Sequence, residues 1–356
     1  MAFDNLDIRE REVLHNLIDH YIATADPVGS RVIATNYGMG LSSATIRNTM
    51  QDLEDMGFIS QPHTSAGRVP TDTGYRLYVD SLLKPESLSA SERKKIRRSL
   101  SSSGKSIDAI LGQSTRALAD IASQMGVVIA PRFDEGTLTR LELVPLSSDR
   151  ALVVLVVKSG LARSVILEVE ATLPEREMRM LEKILNERLC GLTLGEIRRT
   201  VSDRLANVTG NARLLKLFID PESGIWDGVT DTLLHVVGAE NLLGQPEFAD
   251  RAQLVEFVRT LENQEKFSRE LGSCDSDTEN DSDNKTAPGV VVKIGDENTL
   301  KEMKRCSVVS ASYKVGSIEG KIAVVGPTRM RYSKLLSMVE YAAKSISESL
   351  SGSSES

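Results

Sequence analysis

At 356 residues the chain is too long for one ordinary core and divides, at roughly 100 to 200 residues per domain, into two or three domains. Its formal net charge of −7 excludes a surface coated with basic residues for indiscriminate nucleic-acid binding, and 4% aromatic content excludes extensive stacking platforms for single strands. Cys190, Cys274 and Cys306 are odd in number and far apart, which suggests neither a disulfide framework nor a zinc site and fits a reducing, cytoplasmic location.

From Asp7 the apolar residues Val13, Leu14, Leu17, Ile18, Tyr21 and Ile22 fall on one helical face, with Asp7 and Glu10 as a capping box. Asp26-Pro27-Val28-Gly29 breaks that helix. Ser30 is placed to cap a short helix through Ile33, Ala34 and Tyr37, which Gly38-Met39-Gly40 stops. Ser42-Ser43 opens a longer helix with Ile46, Met50, Leu53 and Met56 as its apolar stripe and Gly57 as its stop. Two helices joined by a glycine turn make a helix-turn-helix. Phe58-Ile59, a polar tip from Gln61 to Gly67 and a return at Arg68-Val69 then read as a hairpin wing. Pro70-Thr71-Asp72 caps a further helix that ends near Lys84-Pro85. The winged-helix domain therefore spans 1–84.

Residues 85–106 are serine-rich and carry the basic run Arg93 to Arg98, a linker or exposed connecting helix with the capacity for extra phosphate contacts. A helix is expected at 107–125, and strands at 126–130, 138–146, 151–157 and 163–169. Helical periodicity runs from Pro174 to about Leu271. Strands resume at 290–294, 307–313 and 321–325, before a terminal helix from Tyr332 to Leu350. The simplest arrangement is one α+β domain, 107–173 with 287–350, whose strands close a single sheet around an insertion at 174–271. The acidic stretch within 272–286 holds five acids between Asp275 and Asp283, too polar to offset the entropy of ordering, and is expected to be a mobile loop.

Opposite the apolar stripe of the second helix lie Ala44, Asn48 and Gln51, flanked by Thr45 and Arg47. These are side chains that read base edges: Arg forks guanine, Asn or Gln forks adenine, and an Ala or Thr methyl meets the thymine methyl. Ser30, Ser42 and Ser43, near helix N-termini, suit phosphates, as does Arg31 beside them. In the wing, His63, Ser65 and Arg68 are placed to follow the backbone or enter the minor groove. Residues 1–84 hold seven Lys or Arg against eleven Asp or Glu, a poor balance for DNA. The acids are segregated, however: 27–51 contains none and two arginines, and 56–71 contains none and Arg68.

The strings Asp26-Pro27-Val28-Gly29-Ser30-Arg31, Leu41-Ser42-Ser43-Ala44-Thr45-Ile46-Arg47-Asn48, Gln61 through Thr71, Gly74-Tyr75-Arg76-Leu77-Tyr78-Val79-Asp80 and Gly326-Pro327-Thr328-Arg329-Met330-Arg331-Tyr332 closely resemble the heat-inducible transcription repressors of the HrcA family. The resemblance implies an α+β, multidomain protein: an N-terminal winged helix-turn-helix, and a GAF-like α+β domain with an inserted, mainly helical dimerisation domain. It also implies a homodimer on double-stranded DNA at the inverted-repeat CIRCE operator of chaperone operons, kept active by the chaperonin GroEL. No motif of the family falls within 174–284, so dimer contacts do not carry over by residue.

Catalytic readings find little support. Gly38-Met39-Gly40 lacks a third glycine and follows a helix, no phosphate-loop string is present, and His15, His20, His63 and His235 have no metal-ligand spacing. No window reaches the roughly 18 apolar residues of a membrane span. The expectation is a repressor, not an enzyme, with no cofactor, no metal and no membrane partner. The alternative is a winged-helix regulator controlled by a small metabolite in the GAF-like domain.

Overall fold

The computed structural model describes residues 6–63, 66–84, 86–100, 107–147, 149–158, 162–168, 174–208, 212–220, 223, 225–226, 234–272, 289–316 and 318–351. The expected mobile acidic loop lies outside the described residues. The chain divides into two compact units, one of residues 1–128, 234–312 and 321–345, the other of 129–233, 313–320 and 346–356.

The first unit begins with α1 (Ile8–Thr24), α2 (Ser30–Asn36) and α3 (Ser43–Asp55). The capping box of α1 forms as expected, Glu10 N–H donating to Asp7 at 2.7 Å and Asp7 N–H to Glu10 at 2.7 Å. Val13, Leu14, Leu17 and Ile18 of α1 pack with Ile33 of α2 and Ile46, Met50 and Leu53 of α3 into a closed apolar centre. Burying each such side chain contributes roughly 1.5–3 kcal/mol. Two local expectations are corrected. Gly29, not Ser30, is the N-cap of α2, because the Ser30 hydroxyl turns to Ser43 instead. Met56 leaves the stripe: it is the C-cap residue of α3 and is 41% exposed, since the chain there turns out of the helix toward Gly57.

Strands β1 (Ile59–Ser60) and β2 (Val69–Pro70) pair antiparallel, Ile59 opposite Pro70 and Ser60 opposite Val69. The wing is pinned at its base by two backbone bonds between Arg68 and Val28, of 2.8 and 2.9 Å. Gly67 permits this approach, for a Cβ there would stand 2.5 Å from the Val28 carbonyl carbon. Thr71 caps α4 (Asp72–Leu77) through Gly74 N–H at 3.1 Å, and the helix continues as a π-helical turn through Leu82.

After α5 (Ala90–Leu100) and α6 (Ile107–Ala122), β3 (Met125–Ile129) enters a sheet. The second unit contributes the next elements: β4 (Leu138–Pro145), β5 (Arg150–Val157), β6 (Ala162–Glu168), α7 (Glu175–Leu189), α8 (Leu194–Leu205) and α9 (Ala212–Ile219). The chain then returns to the first unit with β7 (Leu234–Val237), α10 (Ala239–Leu243), α11 (Arg251–Glu262), α12 (Gln264–Gly272) and β8 (Val290–Ile294). Three further elements follow, β9 (Cys306–Val315), β10 (Ile318–Pro327) and α13 (Tyr332–Ser351), each divided between the two units.

The expected single sheet is not what forms. Five strands join in the order β7-β3-β10-β9-β8, whereas β4-β5-β6 make a separate antiparallel sheet of three. The physical reason lies at the edge of β4. Asn186 of α7 donates to Leu141 O at 2.7 Å and accepts from Leu141 N at 2.8 Å, while Glu182 accepts from Leu143 N at 3.0 Å. Side chains thus occupy backbone groups that a further strand would need. Alternate residues of β5, Val153, Leu155 and Val157, bury against Leu181 and Leu185 of α7, Ile197 of α8 and Phe218 of α9. The place beside β3 goes to β7, a strand inside a span read as helical throughout. In the larger sheet β9 is buried on both faces from Cys306 to Ala311, as expected of a central strand covered on both sides.

Candidate nucleic-acid interface

The polar face of α3 forms by subtraction. Ile46, Thr49, Met50 and Leu53 are buried, which leaves Ala44, Arg47, Asn48 and Gln51 exposed and Thr45 half-buried at the flank. Ser42 is the N-cap, its hydroxyl accepting from Thr45 N–H at 3.1 Å and meeting the Thr45 hydroxyl at 2.9 Å. The Ser30 and Ser43 hydroxyls stand 3.1 Å apart, so the starts of α2 and α3 converge on one spot beside exposed Arg31. Eight of the expected residues, Ser30, Arg31, Ser42, Ser43, Thr45, Arg47, Asn48 and Gln51, therefore lie on the turn between α2 and α3 and along the outer face of α3.

The wing contributes differently. His63 is exposed at the hairpin tip, where Ala66 N–H donates to His63 O at 2.9 Å and Gln61 Nε2 to Ala66 O at 2.9 Å. Ser65 lies outside the described residues. Arg68 turns back onto α3, its guanidinium 2.7 Å from Glu54 and 3.4 Å from Gln51 Oε1. Gln51 also donates to Asp55 at 3.0 Å. The pairing masks one of the acids that interrupt the basic surface and ties the wing to the helix.

The basic run lies on α5, whose Ile96 and Leu100 are buried. Arg93 and Arg97 each stand 5.9 Å above the Tyr341 ring, Lys95 is 3.5 Å from Asp120, and Lys334 pairs with Glu92. With hydrogen bonds from Lys334 and then Ser89, the Glu92 carboxyl is pulled down from the ordinary 4.5 to about 2.

Sequence reasoning assigned no role to a second group of polar residues beneath the winged helix. Arg76 of α4, 9% exposed, donates from Nε to Glu297 at 2.8 Å, from Nη2 to Val292 O at 2.7 Å and from Nη1 to Asp80 at 3.1 Å. Its Nη2 also pairs with the other Glu297 oxygen. Asp72 accepts from Asp296 N–H at 2.9 Å. Tyr75 and Tyr332 rings sit 6.1 Å apart, and Tyr332 bonds the Ser307 hydroxyl at 2.7 Å and Thr328 O at 2.6 Å. The only signal available in the sequence was the pair of strings around Gly74–Asp80 and Gly326–Tyr332, which these contacts bring together.

A helix-turn-helix followed by a two-stranded wing, with the polar face of the second helix turned outward, defines a winged-helix DNA-binding protein. Residues 5–81 match the family described as winged helix-turn-helix transcription repressor, HrcA DNA-binding, and residues 108–336 match the HrcA protein C terminal domain. The heat-inducible transcription repressor HrcA of Chlorobium phaeobacteroides (strain BS1) is 39% identical over 99% of this chain and 100% of its own length. That of Acetivibrio thermocellus is 35% identical over 96% of each chain. A crystal structure of a hypothetical protein superimposes with a TM-score of 0.62, at 25% identity over 98% of this chain and 100% of that one. The chain belongs to the HrcA family of heat-inducible transcription repressors. Its fold is the α+β, multidomain arrangement of that family, with a GAF-like C-terminal part, and the family is one of repressors and not of enzymes. Among the described residues no helix is long and apolar enough to cross a membrane.

Proposed function

We propose that the protein is a cytoplasmic homodimer that represses chaperone operons by occupying an inverted-repeat CIRCE operator on double-stranded DNA, one recognition helix per half-site, with GroEL maintaining the active fold. The observation that carries this reading is the outer face of α3, where Arg47, Asn48 and Gln51 stand exposed over a buried apolar stripe. Arg47 is assigned to guanine, and Asn48 and Gln51 to adenine. Ser30, Arg31, Ser42 and Ser43 are assigned to phosphates at the turn between α2 and α3, and His63 and Ser65 to the backbone along the wing. Arg68 takes a different part from that expected of a wing cation, holding the wing against α3 through Glu54.

The dimer supplies the two-fold symmetry that an inverted repeat requires. On heating, misfolded clients draw GroEL away, repressor loses its active fold, and the operons are released. Footprinting of the purified chain on its own upstream DNA, before and after heating and with and without GroEL, tests this. Symmetric protection of both half-sites, lost on heating and recovered only with GroEL, is the expected result. Recovery that does not depend on GroEL contradicts the chaperonin part, and asymmetric or absent protection contradicts the operator part.

A further inference from the structure

The contacts beneath the winged helix form a joint of a specific kind. The Arg76 guanidinium is nearly buried, and four hydrogen bonds tie it to two carboxylates and a main-chain carbonyl, in the fork geometry that suits arginine. The partners outside its own helix, Glu297 and Val292 O, come from β8 and the turn after it. Beside it Asp72, the first residue of the same helix, grips the N–H of Asp296. Glu297 also accepts from Ile294 N–H at 2.8 Å, so the carboxylate that holds Arg76 is itself fixed to the strand end. Gly295 completes the fit. Its φ of +52° favours glycine, and a Cβ there would overlap the Asp72 carboxylate. On the neighbouring side Tyr75 packs on Tyr332, and Arg329 bonds Glu247 at 2.5 Å and Gln245 at 2.6 Å.

Such a joint does more than cover apolar surface. A buried ion pair adds little net stability over an apolar contact of the same size, yet it imposes geometry, because a misplaced guanidinium leaves charges buried and unpaired. A repressor that grips two half-sites at once needs this, since both recognition helices must be presented at a set spacing and angle.

We infer that Arg76, seated on Glu297, is a positioning residue for operator binding: it fixes the orientation of the winged helix on the five-stranded body so that two recognition helices reach two half-sites together. The inference rests on the dimeric, inverted-repeat reading proposed above. Arg76 contacts no DNA in this account and acts through the placement of α3.

The test uses the full chain carrying Glu297→Gln, with Arg76→Lys as a second variant that keeps the charge but loses the fork. Affinity is measured for the inverted repeat and for a single half-site of the same sequence, alongside amide hydrogen exchange. Glu297→Gln is expected to weaken inverted-repeat binding about tenfold, with a smaller loss for Arg76→Lys, while half-site binding stays within about twofold. Exchange is expected to quicken over residues 72–82 and to stay unchanged over α3. Equal loss on both DNAs would show a joint that merely helps the winged helix fold, and no loss on either would show a joint without consequence; each overturns the inference. If wild-type protein itself shows no preference for the inverted repeat, the dimeric reading fails instead. The joint is then decided by exchange alone, and unchanged exchange over residues 72–82 overturns it.

Discussion

Two helices of the winged-helix module use their polar residues in opposite ways. On α3 Arg47, Asn48 and Gln51 face out, and Arg47 enters no ion pair among the described residues. On α4 they face in, and Arg76 is held by two carboxylates and a carbonyl. A side chain left with unspent donors is ready for base edges, whereas one already satisfied inside the protein can only set geometry. On the proposed function the module separates reading from positioning, one helix for each. Arg68 stands between the two cases, half-buried and paired with Glu54 of α3.

The largest expected effect breaks the inward side. Arg76→Ala leaves Glu297 and Asp80 without their cation and should cost about 3–5 kcal/mol of stability, read by denaturant unfolding. A loss under about 1 kcal/mol would mean that the joint is not formed in solution. Gly295→Ala forces a side chain into left-handed backbone and against Asp72, and should cost about 1–3 kcal/mol in the same measurement.

Glu54→Gln sharpens the middle case. With the carboxylate gone, Arg68 becomes available to a phosphate, so non-specific DNA binding should strengthen and the salt dependence should steepen by about 0.9 in log–log slope. An unchanged slope would show that Arg68 stays folded onto α3 by its contact with Gln51.

The smallest effect concerns α5, where Glu92 joins Ser89 to Lys334. Its folded pKa, about 2, lies below the ordinary 4.5, so its stabilisation is full above that value and is lost as the pH falls from about 4.5 through about 2. Glu92→Gln should cost up to about 1 kcal/mol at neutral pH and flatten the acid side of the stability profile. A variant with the wild-type acid profile would remove this clasp from the account.

Local signals in the sequence reached the outward side well. The Asp7–Glu10 capping box, the stop at Gly57 and the buried Ile46, Met50 and Leu53 each depend on residues within one or two turns, so periodicity and capping rules suffice. The exposed row Ala44, Arg47, Asn48 and Gln51 follows from that stripe. What escaped depends on distant partners. Arg76 and Glu297 are 221 positions apart, and nothing local distinguishes a helix arginine bound for a strand end from one bound for solvent. Strand β7 is only four residues, Leu234 to Val237, between helical stretches, and is a strand because β3 has an edge for it. The separate sheet of β4, β5 and β6 was hidden for a similar reason: strand residues announce a sheet, but which sheet was decided by Asn186 and Glu182 on a helix. Ser30 shows the same limit at short range, a capping residue by type whose hydroxyl prefers Ser43 across the turn.

The claim that α3 reads sequence is tested most directly by titrating wild-type and Arg47→Ala full-length protein against the operator and against a shuffled duplex at several salt concentrations. The account predicts that Arg47→Ala costs about 1–3 kcal/mol on the operator, much less on the shuffled duplex, and relaxes preference at one base pair per half-site. An equal loss on both duplexes would contradict it, reducing Arg47 to a phosphate contact and moving the reading of sequence elsewhere.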